Sequence, residues 1–110
     1  MSRYARRTDD NQPEIVAAFR ACGWYVRDTS RLGEGFPDLV VYRPQNGIVL
    51  VEIKDGTKPP SARRLTPDES EFARNCPVAV VYRVEDVLAL SGQVDIPRVD
   101  IPANVPRGTS

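Results

Sequence analysis

The sequence predicts an α/β fold in which helices flank a mixed central sheet. Apolar residues recur at spacings of three and four within residues 11–22, as on one face of a helix. Two strands rich in β-branched residues, 38–43 and 48–54, are separated by a Pro-Gln-Asn-Gly turn. A helix start near Thr66 is followed by a continuous apolar run at 78–83, which is typical of a buried strand.

The N-terminal half is predicted to contain one helix and three strands. Asp10 is a suitable N-cap for the helix, and Gly23 is a suitable C-cap. Residues 24–28 are aromatic and β-branched and predict a strand, whereas 29–36 contain Gly33 and Gly35 and predict a loop. The strands at 38–43 and 48–54 should then pair as an antiparallel hairpin.

In the C-terminal half, residues 55–64 combine prolines with charges and predict an extended or mobile loop. Thr66, Pro67 and Glu69 form a capping-box pattern, which starts a helix that ends near Asn75. Residues 78–83 are predicted to form a central strand, and 84–90 a short helix before Gly92. The predicted order is therefore α-β-β-β-α-β-α within residues 9–92, a single domain.

The two ends of the chain differ from this domain. Residues 1–8 contain three arginines and predict a basic arm. Residues 93–110 repeat Val-Asp-Ile-Pro and are proline-rich, so we expect an extended tail.

Composition excludes several kinds of site. The sequence contains no histidine, which removes His-based zinc sites and Ser-His or Cys-His catalysis. The formal net charge is zero, which argues against coating nucleic acid by charge alone. No apolar run is long enough for a membrane helix, and no secretory signal is evident, so a cytoplasmic protein without membrane contact is expected. Cys22 and Cys76 are then expected to be reduced thiols.

The candidate site consists of Asp38, Glu52 and Lys54. Glu52 and Lys54 are two residues apart on one strand and share a face. Asp38 begins the preceding strand and is expected beside Glu52 to Lys54 in the hairpin; to share a face with Glu52 it needs an odd-length connection or a bulge. The alternatives are a solvated Glu-x-Lys face and a turn aspartate after proline. Charges on a covered sheet face require compensation, which Mg²⁺ would supply.

These residues form a known pattern. The segment Gly-Phe-Pro-Asp ending at Asp38, fourteen residues before the Glu of Glu-Ile-Lys, resembles the PD-(D/E)xK nuclease superfamily. It is most similar to the small stand-alone VRR-NUC type of phage and bacteria, which is related to Holliday-junction resolvases. The resemblance covers about residues 9–90. It implies a restriction-endonuclease-like core and a Mg²⁺-dependent DNA endonuclease, with Mn²⁺ able to substitute, working in a bacterial cell or a phage-infected host.

The resemblance also implies roles for individual residues. Asp38 and Glu52 resemble the metal-binding carboxylates, and the backbone carbonyl of Ile53 is the implied further ligand. Lys54 resembles the lysine that orients or activates the attacking water. The products would carry a 5′-phosphate and a 3′-hydroxyl.

Two further glutamates have competing explanations. Glu14 resembles the helix-one glutamate that completes the acidic cluster, often through a metal-bound water. The alternative is an acid placed favourably in the first turn of a helix, and the functional role is preferred. Many relatives have a glutamine where this chain has Glu69, and Glu69 is already explained by the capping box.

Basic residues near the predicted site are candidates for holding DNA phosphates: Arg6, Arg7, Arg31, Lys58, Arg63 and Arg64. No recognition helix is evident, so selectivity for DNA structure (a junction, flap or nick) is expected rather than sequence specificity. One small domain contacts only a short stretch of backbone, which favours a homodimer. The alternatives are a non-catalytic nucleic-acid-binding subunit of a larger phage or repair assembly, and an unrelated α/β protein with exposed charges.

Overall fold

The structure, a computed structural model, describes residues 9–92. It is an α/β fold with a mixed four-stranded sheet, and it confirms the predicted order α-β-β-β-α-β-α. The elements are α1 (Gln12–Ala21), β1 (Tyr25–Asp28), β2 (Leu39–Arg43), β3 (Gly47–Ile53), α2 (Pro67–Asn75), β4 (Ala79–Val81) and α3 (Val84–Ser91), with a 3₁₀ turn at Pro60–Arg63. The predicted arm at 1–8, with Arg6 and Arg7, and the predicted tail at 93–110 lie outside the described residues. Within residues 9–92, no helix combines the length and the apolar character that crossing a membrane requires.

The sheet has the strand order β1-β2-β3-β4, with antiparallel pairing between β1, β2 and β3 and parallel pairing between β3 and β4. The prediction of a central strand at 78–83 was wrong, because β4 lies at an edge of the described sheet and contains only Ala79–Val81. An apolar run in the sequence indicates that its side chains are buried. It does not indicate whether the strand has one or two neighbours in the sheet. Here Val81 is buried in the core, whereas Ala79 and Val80 are half-buried.

The β2–β3 hairpin sets the geometry of the candidate site. Leu39 pairs with Val51 and Arg43 pairs with Gly47, so the connection is the odd-length loop 44–46. Gly47, the residue that follows this loop, has a φ of 79°, a left-handed conformation that glycine adopts readily. The same register, continued by one position, brings Asp38 opposite Glu52 on one face of the sheet.

The start of α1 differs from the prediction. Asn11, and not Asp10, is the N-cap residue, and its side chain makes no capping hydrogen bond. Its Nδ2 instead donates to the carbonyl oxygens of Lys54 and Tyr82, at 3.3 and 3.1 Å. The beginning of α1 is therefore fastened to the ends of β3 and β4. At the other end of α1, Gly23 has a φ of 90° immediately after the C-cap, where glycine was predicted.

The core lies on one face of the sheet, between the strands and the helices α1 and α3. Ile15 and Phe19 from α1 and Val87 from α3 join Val51 and Ile53 of β3 in one buried cluster. Because side chains alternate along a strand, Glu52 and Lys54 point to the opposite face. There the first turn of α2 reaches them through the hydrogen bond between Glu69 and Lys54. A charged site thus lies between the end of β3 and the start of α2.

Candidate active site

A cavity of about 220 Å³ lies between the end of β3 and the start of α2. It is lined by acidic side chains, one lysine, a threonine and the end of β3: Asp9, Asp38, Glu52, Ile53, Lys54, Thr66 and Glu69. The structure therefore brings Asp38, Glu52 and Lys54 together. It also brings Glu69 into the cavity and adds Asp9, which sequence reasoning did not select.

Asp38 is 5 % exposed and Glu52 is 3 % exposed. The Oδ2 atom of Asp38 accepts a hydrogen bond from the backbone N–H of Ile53 at 2.8 Å, which ties the start of β2 to the end of β3. Behind Asp38, the loop 29–37 is held by hydrogen bonds from Thr29 to the carbonyls of Asp38 and Pro37. Two carboxylates from neighbouring strands are thus fixed side by side, away from water.

Burial is the largest cause of an altered pKa at Glu52. Burial, followed by the negative charge of Asp38 and by the hydrogen bond with Glu69 and its charge, raises the pKa of Glu52 to about 9. The positive charge of Lys54 opposes this change only in part. At neutral pH the cavity therefore favours a protonated Glu52, which is the state expected where two buried carboxylates lack a sufficient counter-charge.

Lys54 is held mainly by Glu69. Its side chain is 12 % exposed, and its Nζ atom lies 2.8 Å from Glu69 Oε1 but 3.7 Å from Glu52 Oε2. Burial acts to lower the pKa of Lys54, but the hydrogen bond to Glu69 and the charges of Glu69, Glu52 and Asp9 outweigh it and raise the pKa. Lys54 is accordingly a cation at neutral pH. Its backbone N–H donates to Val81 O at 2.9 Å, so the β3–β4 pairing continues through this residue.

Glu69 belongs both to the capping box of α2 and to the charged site. The predicted capping box is confirmed, since Thr66 Oγ1 accepts from the Glu69 N–H and Glu69 Oε1 accepts from the Thr66 N–H. Burial acts to raise the pKa of Glu69, but its hydrogen bonds with Lys54, the Thr66 N–H and Glu52 hold that pKa below its ordinary value. The capping role and a role in the site therefore coexist, although the sequence presented them as alternatives.

Asp9 is the site residue that the sequence did not reveal. Burial raises its pKa, against the positive charges of Lys54 and Lys58. Its carbonyl oxygen accepts from the Gln12 N–H at 3.0 Å, so it lies just before the first turn of α1. The only sign of Asp9 in the local sequence was that it forms an acidic pair with Asp10 just before a helix. Its place in the cavity depends on the fastening of Asn11 to Lys54 and Tyr82, which is a contact between distant segments.

The remaining candidates lie away from the cavity lining. Glu14 is exposed in the first turn of α1 and does not line the cavity. Arg31, Lys58 and Arg64 are exposed, and Arg63 is half-buried with its Nε donating to Lys58 O at 2.7 Å. Of these, Lys58 is near enough to the cavity for its charge to act on Asp9.

The donor atoms fit a small hard cation in their chemistry. Within residues 9–92 no group of three or more His, Cys, Asp or Glu side chains is arranged to hold a metal. The ligand set that the resemblance implies is smaller, however, because it consists of two carboxylates and one backbone carbonyl. Mg²⁺ commonly binds one or two carboxylates and completes its coordination with water and substrate phosphate. Burial, and after it the negative charge of Asp38, raises the pKa of Glu52, and a divalent ion bound between the two carboxylates would offset that charge.

Comparison of the chain with protein-family models, with characterised proteins and with solved structures finds no match. Function is therefore inferred from the cavity itself and from the motif in the sequence.

Proposed function

We propose that this chain is a Mg²⁺-dependent endonuclease with a restriction-endonuclease-like core, which hydrolyses phosphodiester bonds of DNA. One observation carries the proposal: buried Asp38 and Glu52, from neighbouring strands, share a small cavity with the charged Lys54. Burying two carboxylates and an ammonium group is costly unless they serve a ligand. A divalent cation and a phosphate match these charges.

The metal would be held by the carboxylates of Asp38 and Glu52 and by the carbonyl of Ile53. When bound, Mg²⁺ polarises a phosphoryl oxygen and lowers the pKa of a water molecule. Asp38 is already oriented for this task by its hydrogen bond to the Ile53 N–H. Glu52 must give up its proton to bind a cation, because ligands bind metal in the deprotonated form.

Lys54 contributes as a fixed cation. Because its pKa is raised, it stays protonated at neutral pH and can only donate hydrogen bonds. It can therefore orient the attacking water or offset charge on the phosphate, and it cannot be the base that removes a proton from water. The bond that breaks would be the P–O3′ bond, giving a 5′-phosphate, as the resemblance implies.

DNA would be held through its backbone. Lys58, Arg63 and Arg64 lie on the segment that follows β3, and the charge of Lys58 already acts on Asp9 in the cavity. Such phosphate contacts position a duplex without reading its sequence. We therefore propose selectivity for DNA structure, with Arg31 as a further phosphate contact. A cytoplasmic homodimer is the proposed form, because one domain of this size contacts only a short stretch of backbone.

A second candidate is a nucleic-acid-binding subunit without turnover. One observation favours it: the pKa of Glu52 is raised to about 9, so at neutral pH this carboxyl group favours the protonated form, which does not bind a metal. Binding of DNA without cleavage would be its signature.

The test is cleavage of labelled four-way junction, flap, duplex and single-stranded DNA in Mg²⁺, Mn²⁺ or EDTA. We expect metal-dependent cleavage of at least one substrate, lost in Lys54→Ala while binding and folding persist. Glu14→Gln is the matched control, because Glu14 is exposed and does not line the cavity. Binding of the panel without cleavage in either metal would replace the nuclease by the binding subunit.

A further inference from the structure

One carboxylate oxygen connects the start of α2 to Lys54. Glu69 Oε1 accepts a hydrogen bond from the Thr66 N–H at 2.9 Å and another from Lys54 Nζ at 2.8 Å. The return half of the capping box, from the Glu69 N–H to Thr66 Oγ1, is 3.2 Å long. The backbone at the start of α2 therefore fixes the side chain of Glu69 independently of its hydrogen bond with Lys54.

The position of the ammonium group follows from this anchor. Lysine has a flexible four-carbon stem, so its charge stays in one place only where a rigid partner holds it. The other carboxylate in reach, Glu52, is 3.7 Å from Nζ, which is beyond hydrogen-bond distance. Glu69 is 7 % exposed, so water does not readily take its place.

The start of α2 is in turn fixed against the loop that leads to Asp38. Gly35 has a φ of 80°, and a Cβ atom added there would collide with the carbonyl group of Asp68 in the first turn of α2. The backbones of this loop and of α2 are thus in close contact. The loop that precedes Asp38 and the helix turn that carries Glu69 are held as one unit.

We propose that Glu69 is a positioning residue for Lys54, and that the capping box of α2 fixes the lysine beside Glu52 for the reaction. The inference rests on the proposed nuclease function and adds to it the group that holds the lysine. Glu69 also shares a hydrogen bond with Glu52, so the glutamine variant is the one that isolates the lysine. Glutamine at this position would keep the hydrogen bonds with Lys54 and the Thr66 N–H, because its amide oxygen accepts in the same place, and its amide N–H would donate to Glu52.

The chain offers a matched control for loss of a helix cap. At the start of α3, Asp86 Oδ2 accepts from the Tyr82 and Arg83 N–H groups at 2.8 and 3.2 Å. Asp86 does not line the cavity. Asp86→Ala should therefore lower the melting temperature much as Glu69→Ala does, with no effect on the rate constant of the folded protein.

The experiment measures kcat, KM and melting temperature for the wild type, Glu69→Ala, Glu69→Gln and Asp86→Ala. We expect Glu69→Ala to lower kcat by about tenfold to a hundredfold with little change in KM, as for a displaced catalytic group. Glu69→Gln should restore most of kcat. Equal kcat in Glu69→Ala and Asp86→Ala would overturn the proposal, and so would a glutamine variant as slow as the alanine variant.

A structural measurement separates this proposal from the nuclease proposal. In a crystal structure of Glu69→Ala, Lys54 Nζ should leave its position or lose its order, whether or not the wild type cleaves DNA. An unmoved, ordered Nζ would refute the positioning role. An inactive wild type with a displaced Nζ in the variant would refute the nuclease function alone.

Discussion

Glu52→Gln should stabilise the metal-free protein at alkaline pH. In the folded chain, burial and then the charge of Asp38 raise the pKa of Glu52 from its ordinary value of 4.5 to about 9. Between these values the folded protein keeps a proton that the unfolded chain releases. Wild-type stability should consequently be complete below pH 4.5 and should fall as the pH rises toward 9. Glutamine has the same shape and cannot ionise.

One proton changes the free energy of unfolding by at most about 1.4 kcal/mol per pH unit. Between pH 5 and pH 8 the advantage of Glu52→Gln over the wild type should therefore grow, reaching about 2–4 kcal/mol. Mg²⁺ should reverse the order, because it binds the folded wild type and not the variant. The affinity for Mg²⁺ should also increase with pH below 9, as Glu52 loses its proton.

The assay is urea unfolding in EDTA at several pH values, followed by the same series in Mg²⁺. Glu14→Gln serves as the control, because it removes an exposed carboxyl group of the same type. Profiles of wild type and Glu52→Gln that run parallel from pH 5 to 8 would refute the reasoning, because they would show that Glu52 ionises normally.

The remaining predictions concern the third acid, the loop and the DNA contacts. Asp9→Asn should weaken Mn²⁺ binding by about tenfold when the affinity is measured by calorimetry, because Asp9 lines the cavity. Glu14→Gln should leave the affinity unchanged. Weaker binding in Glu14→Gln and not in Asp9→Asn would instead identify Glu14 as the third acid, as the resemblance implies. Gly35→Ala should destabilise the fold by about 2 kcal/mol or more, since its Cβ meets the backbone of α2. Gly33→Ala, with a similar φ and open space, should cost less; equal losses in urea unfolding would contradict this packing. Lys58→Ala should weaken DNA binding equally for all sequences and lower the salt slope by about one, and an unchanged slope would exclude a phosphate contact.

Local sequence signals predicted the parts of the site that depend on local geometry. The sequence predicted the β2–β3 hairpin and the position of Asp38 near Glu52, but it left the register open, because strands at 38–43 and 48–54 are separated by four residues. In the structure β3 begins at Gly47, and the three-residue loop 44–46 sets the register that brings Asp38 opposite Glu52. The capping box at Thr66 and Glu69 was likewise evident, because both halves lie within four residues.

The parts that the sequence did not predict depend on contacts between distant segments. β4 lies at an edge because of the order of the strands in the sheet, and an apolar run in the sequence does not indicate that order. Asp9 enters the cavity because Asn11 is bonded to the ends of β3 and β4. The capping pattern did not reveal the second partner of Glu69, because Lys54 is fifteen residues away in the chain.

A crystal structure with Mn²⁺, located by its anomalous scattering, would show whether this cavity is a metal centre. We expect a peak in the cavity within bonding distance of carboxylate oxygens of Asp38 and Glu52 and of the carbonyl oxygen of Ile53. Asp38→Asn should abolish the peak. A cavity without manganese at a saturating concentration, or a peak bound elsewhere in the chain, would contradict the account.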